Sequence, residues 1–148
     1  MAKNIIVPID GSKQSEKIIE FATDMALQYN GNLHLLYVVE KQNFPAGVLE
    51  YIQEEKIDGG IGKISAQVIG EAVLEPFLRQ IKDKGVKSAK WMAVRGNPAE
   101  EILKFAENHN IDLIVIGSRG LGKVKGLILG SVSNKVCQSA ECTCVTVK

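Results

Sequence analysis

The sequence predicts an α/β fold: an open, mostly parallel sheet of five strands with helices on both faces. Three observations lead there. Five short β-rich runs alternate with helical patterns along the chain, the signature of successive βαβ units. The runs centred on Ile5-Ile6-Val7, Leu33 to Val39 and Leu113 to Ile116 are nearly continuous apolar segments, as in strands covered on both faces. The intervening stretches carry helix starts and stops of recognisable chemistry.

Taken in order, the first strand spans Lys3 to Ile9. Ser12 is placed to cap a helix running to about Tyr29, with Ile18, Ala22, Met25 and Tyr29 recurring on one face. Asn30-Gly31 ends it with residues that tolerate a left-handed backbone. The second strand covers Asn32 to Val39. Residues Glu40 to Gly62 match no definite pattern; Val48 to Lys56 could form a short helix, and a connection this long is usually functional. A helix follows from about Ile64 to Asp83, with Val68, Ala72, Phe77 and Ile81 toward the core and Pro76 as a kink. The third strand is Ser88 to Val94 around Trp91, a packing residue. Asn97-Pro98-Ala99-Glu100 reads as an N-cap, a first-turn proline and a capping-box acid, starting a helix that buries Ile102, Leu103 and Ala106 and ends near Asn110. Asp112 to Ile116 is the fourth strand, Gly130-Ser131 starts a last helix to about Ser139, and Thr143 to Val147 is the fifth strand.

The chain of 148 residues fits a single domain able to bury a core without disulfides or metals. A net charge of +1 gives no electrostatic footprint for nucleic acid. No apolar run approaches the roughly 20 residues of a membrane span, and the N-terminus lacks a signal-peptide pattern, so the reading is cytoplasmic. Cys137, Cys142 and Cys144 form no CxxC pair and have no nearby histidine. They read as small buried apolar residues, with a redox or metal role as the alternative.

The segment Val115 to Ser133 carries the chemistry. It leaves a buried strand, runs through Gly117, Gly120, Gly122, Gly126 and Gly130, and enters a helix at Ser131. Open parallel sheets bind ligands past the carboxyl ends of their strands. Glycines let backbone approach a ligand closely there, and free N–H groups at a helix start attract anions. Arg119, Lys123 and Lys125 add positive charge, and Ser131 and Ser133 add hydroxyls. These features point to a phosphate or a nucleotide. A P-loop, GxxxxGK[ST], is absent, and no GxGxxG follows the first strand.

The longer pattern Gly117-x2-Gly120-x9-Gly130-Ser131, G-x2-G-x9-G-[ST], resembles the ATP-binding branch of the universal stress protein family. The resemblance extends to Ile6 to Ser12, Leu33 to Val38, Val94 to Ile102 and Asp112 to Arg119, almost the whole chain in order. It implies an adenine-nucleotide alpha-hydrolase-like sheet with strand order 3-2-1-4-5. It further implies that Pro8, Ile9, Asp10 and Val38 border adenine and ribose, that Gly117, Arg119, Gly120, Gly130, Ser131, Val132 and Ser133 surround ribose and phosphates, and that Ile116 belongs to the same nucleotide site. Members of this branch bind ATP, often with a divalent cation at the phosphates; ATP, ADP and AMP are not distinguished by the sequence. Asp10 stands as either a ribose or a cation partner. Many members pair as homodimers through the last strand, here Thr143 to Val147.

The chemistry suggests a nucleotide-binding stress-response regulator rather than an enzyme. No catalytic base stands beside the glycine segment, and Asp10 is the one obvious acid. The alternative is a slow ATPase or phosphotransferase at the same site. His34, within an apolar strand, and His109, at a helix C-terminus, read as structural. Lys123 and Lys125 read as solvated.

Overall fold

The computed structural model describes residues 2–40, 66–118 and 130–148. The expected Val48 to Lys56 helix and the loop residues Arg119, Gly120, Lys123 and Lys125 lie outside the described residues. Five strands are present among the described residues: β1 (Asn4–Ile9), β2 (Asn32–Val39), β3 (Ser88–Arg95), β4 (Leu113–Gly117) and β5 (Thr143–Val147). The helices are α1 (Ser15–Tyr29), α2 (Ala66–Val73), α3 (Glu75–Asp83), α4 (Pro98–Asn108) and α5 (Ser131–Ser139). The strands form one sheet in the order β3-β2-β1-β4-β5, and every pairing is parallel.

Alternation of side chains along the strands sorts the core onto two faces. On one, Ile5, Val7, Leu33, Leu35 and Val115 are wholly buried against Ile18, Ile19 and Ala22 of α1, Ile69 of α2 and Leu78 and Ile81 of α3. On the other, Ile6, Leu36, Ile114 and Ile116 pack on Ala99, Ile102, Phe105 and Ala106 of α4 and Val136 of α5. Each such aliphatic side chain contributes about 1.5–3 kcal/mol when fully buried, which is why β1, β2 and β4 read as unbroken apolar runs. The edge strand β3 instead alternates between exposed and half-buried positions.

Two helix boundaries and one buried helix face differ from the sequence expectation. First, α1 starts at Ser15, because the Asp10 carboxylate accepts the Ser12 N–H at 2.8 Å and holds Gly11 to Gln14 in turns. Gly11, at φ 78, supplies the left-handed residue this route needs. The Ser12 hydroxyl caps nothing and has no hydrogen-bond partner. Second, the single helix expected over Ile64 to Asp83 is two. Pro76 occupies the first turn of α3, and the joint at Leu74 keeps a right-handed helical backbone, the Leu74 N–H donating to the Gly70 carbonyl at 2.8 Å and the Leu78 N–H to the Leu74 carbonyl at 2.9 Å, so the proline interrupts the run where the sequence placed a kink. In consequence Ile69, Leu74, Leu78 and Ile81 are the buried positions, while Val68, Ala72 and Phe77 are half-buried. Third, the buried stripe of α1 is Ile18, Ile19, Ala22 and Ala26, and Tyr29 is exposed.

Other signals match their chemistry. Asn97 caps α4 by accepting the Glu100 N–H at 3.2 Å, with Pro98 in the first turn. Asn30 ends α1 in the left-handed region at φ 50. Trp91 stands on β3 against Gly70 of α2 and donates its indole N–H to Glu75 Oε2 at 2.6 Å. His34 is buried and lies near the stacked rings of Phe105 and His109.

The topology fixes where a ligand can sit. After β1 the chain crosses to β2 on one side, and after β4 it crosses to β5 on the other. The diverging connections open a crevice beyond the carboxyl ends of β1 and β4.

Candidate functional site

A cavity of about 280 Å³ occupies that crevice. β1 and its end contribute Pro8, Ile9 and Asp10, β2 contributes Val38, and β4 contributes Ile116 and Gly117. Gly130, Ser131, Val132 and Ser133 close the opposite wall from the start of α5. The structure thus gathers these sequence-nominated residues around one space, while Arg119 and Gly120 lie outside the described residues.

The cavity has two chemical halves. Pro8, Leu36, Val38 and Ile116 share the sheet face that α4 covers, and with Pro98 and Ile102 they form an apolar wall. The polar half is the first turn of α5. Gly130 is its N-cap, and no side chain caps that end. The first-turn N–H groups of a helix have no intrahelical carbonyl to meet, so those of Ser131, Val132 and Ser133 are left for another acceptor. The helix dipole adds partial positive charge at the same point.

Hydrogen bonds hold this turn in place. The Ser133 hydroxyl, buried, donates to the Gly117 carbonyl. The Gly130 N–H donates to the Ser118 carbonyl at 2.7 Å, and the Ser118 N–H to the Val147 carbonyl at 2.9 Å. The end of β4 is therefore fastened to the helix start that faces it. Ser133 consequently spends its hydroxyl proton on the scaffold, which leaves its backbone N–H and the Ser131 hydroxyl as the groups available to a ligand.

At the mouth, Asp10 presents a half-buried carboxylate with one oxygen engaged by Ser12. Tyr37 and Glu40 also line the cavity. Burial, reinforced by the Asp10 and Glu40 carboxylates, pushes the Tyr37 phenol upward, so it remains protonated and can donate. Neither His34 nor His109 lines the cavity.

Sequence reasoning did not nominate Leu36, Tyr37, Glu40, Ile18, Pro98 or Ile102, all of which line it. Leu36 could have been found from Val38 by the two-residue period of a strand. Pro98 and Ile102 follow from the rule that a helix entered after the carboxyl end of a strand starts beside the crevice. Ile18 and Tyr37 carry no such signal.

A doubly wound parallel α/β protein with a cavity at the topological switch point is the class that this fold defines. The model of the universal stress protein family matches residues 1–148, and the chain belongs to that family. It is 34% identical over 152 residues to the universal stress protein YxiE of Bacillus subtilis, covering 100% of both chains. Among solved structures it resembles the universal stress protein UspA from Lactobacillus plantarum, with a TM-score of 0.77, 24% identity and coverage of 99% and 98% of the two chains. A universal stress protein in complex with cAMP superimposes with a TM-score of 0.69 at 21% identity, covering 99% of this chain and 97% of that one. The Archaeoglobus fulgidus universal stress protein in complex with dAMP gives 0.68 at 19% identity, covering 99% and 98%.

Proposed function

We propose that this universal stress protein binds an adenine nucleotide in the switch-point cavity and acts as a nucleotide-dependent switch in a stress response. The observation that carries the reading is the uncapped first turn of α5 opening onto a cavity whose other wall is apolar. The base packs against Val38 and Ile116, and the phosphates take the N–H groups of Ser131 to Ser133. Two relatives of the same fold that hold cAMP and dAMP, ligands with adenine in common, support the class of ligand.

ATP is the nucleotide to which the G-x2-G-x9-G-[ST] pattern points, with Arg119 and Gly120 assigned to its phosphates on the pattern alone. A magnesium ion fits only jointly with those phosphates. Among the described residues no group of three or more His, Cys, Asp or Glu side chains could hold a metal. Asp10, with one carboxylate oxygen free of Ser12, can supply one ligand, as is usual for magnesium, which keeps waters and phosphate oxygens around a single carboxylate. The ion would neutralise phosphate charge there.

The regulator is the proposed reading, with a slow ATPase or phosphotransferase as the alternative; Asp10 and Glu40 are the acids that line the cavity among the described residues and would serve that alternative. Among the described residues no helix is long and apolar enough to cross a membrane; a cytoplasmic site of action is part of the proposal. Homodimer formation through β5 belongs to the same proposal: among the described residues it is a terminal strand of the sheet, paired by β4 on one side only.

Displacement of a fluorescent adenine-nucleotide analogue tests the reading. AMP, ADP and ATP should compete in the micromolar range and GTP at least tenfold more weakly. Equal competition by GTP would remove the assignment of the apolar wall to adenine.

A further inference from the structure

The three cysteines cluster where α5 meets β5. Cys137 lies on α5, Cys142 in the connection and Cys144 on β5. The sulfurs of Cys137 and Cys144 are 2.8 Å apart. That is closer than the roughly 3.5–4.0 Å of a relaxed non-bonded contact between carbons. A disulfide measures ~2.05 Å, so about 0.8 Å of approach separates the two thiols from a bond.

The surrounding structure keeps them together. Cys144 is fixed by the β4–β5 register opposite Ile114, and Cys137 by the last turn of α5, where the Ala140 N–H donates to the Val136 carbonyl at 2.8 Å. Both side chains pack on the core beneath α4 and α5 and are only half-buried, which leaves a path for a small oxidant. Cys142 makes no sulfur–sulfur contact among the described residues. Burial, together with the contact to Cys137, pushes the Cys144 thiol up to about 12, so Cys144 is the resolving partner that closes onto the sulfur of Cys137 and not the thiol that first meets the oxidant.

We propose that Cys137 and Cys144 are a redox modification site that closes to an intramolecular disulfide when the protein meets a peroxide, and reopens on reduction. In the closing step the two thiols give up two protons and two electrons. The O–O bond of hydrogen peroxide breaks, the S–S bond forms and two waters leave. A dithiol reductant returns two protons and two electrons through a mixed disulfide. The bond ties the C-terminal half of α5 to β5, the strand at one end of the sheet. Among the described residues Cys137 lies outside the cavity lining, on the same helix whose first turn lines it.

The test is thiol mapping of the full-length folded protein after hydrogen peroxide treatment and alkylation. Two of the three cysteines should resist alkylation, the intact mass should fall by two hydrogens, and dithiothreitol should restore all three. Cleavage after Glu141 separates Cys137 from the other two, so a cross-link between the fragments identifies it as one partner. The Cys142→Ser variant should form the bond at the wild-type rate, and Cys144→Ser should not. Three alkylatable thiols after oxidation, a bond between two protein chains, or a cross-link that persists at the wild-type rate in Cys144→Ser would each overturn the assignment.

Discussion

Gly70 on α2 is a position where two effects of opposite sign compete. Alanine is favoured over glycine by about 1 kcal/mol within a helix, so Gly70→Ala taken alone should stabilise the protein. A Cβ built there, however, would lie 2.1 Å from Trp91 Cζ3, with Cη2 and Cε3 at 2.6 and 2.7 Å. The indole cannot retreat cheaply, since its N–H donates to Glu75 Oε2 at 2.6 Å and its ring packs on the core under α2. Overpacking of this kind costs about 1–3 kcal/mol, and disturbing a hydrogen bond to a charged group about 1.5–3 kcal/mol. Set against the propensity gain, the net expectation is about 3 kcal/mol of destabilisation. For a chain of this length that is a fall in Tm of roughly 6–12 °C. Trp91 is the single tryptophan, so its fluorescence in a urea titration reads both the unfolding midpoint and the displaced ring in the folded state. A midpoint equal to or above wild type would refute the reasoning, because it would mean that the helix and strand are not in contact at this point.

Three further outcomes follow from the same geometry. Burial, with Lys90 and His109 adding charge repulsion, lowers the His34 pKa from 6.5 to about 4. The unfolded chain therefore binds more protons between those values. The associated stability is fully present above pH 6.5 and is lost as the pH falls toward 4, about 2 kcal/mol between pH 7 and 5; His34→Leu should flatten this acid limb in urea midpoints taken at the two pH values. Asn97→Ala removes the cap on the Glu100 N–H and should cost about 1 kcal/mol by chemical denaturation. Gly130→Val should leave the fold intact, since φ −64 and ψ 161 are open to any residue, yet lower nucleotide affinity at least tenfold by filling the approach to the α5 turn; unchanged affinity would place the phosphates elsewhere.

The parts of the fold that burial dictates were legible in the sequence. β1, β2 and β4 are covered on both faces, and their apolar runs say so. The Asn97-Pro98 start of α4 and the Asn30 stop of α1 were legible because each residue does locally what its side chain favours. Strand order was implied by the family resemblance and not by any pattern of polarity, since adjacency in a sheet leaves no mark on one strand alone. The α1 start was misplaced because Asp10, and not Ser12, takes the hydrogen bond that shapes the turn. Pro76 signals a kink and a helix start equally well, and the chain alone does not say that Leu74 is the joint. At the cavity, the glycine spacing pointed to the α5 turn, whereas Ile18 reaches it only through the packing of α1 on the sheet. The 2.8 Å approach of Cys137 to Cys144 likewise depends on how α5 lies on β5, which their seven-residue separation does not reveal.

Calorimetric titration of nucleotide-stripped protein with ATP and magnesium, with GTP as the control, bears most directly on the central claim. Micromolar ATP binding with one site per chain and markedly weaker GTP binding is the expected result. Absence of heat with ATP, in protein shown to be folded by the Trp91 signal, would contradict the assignment of the Gly130 to Ser133 turn to phosphate.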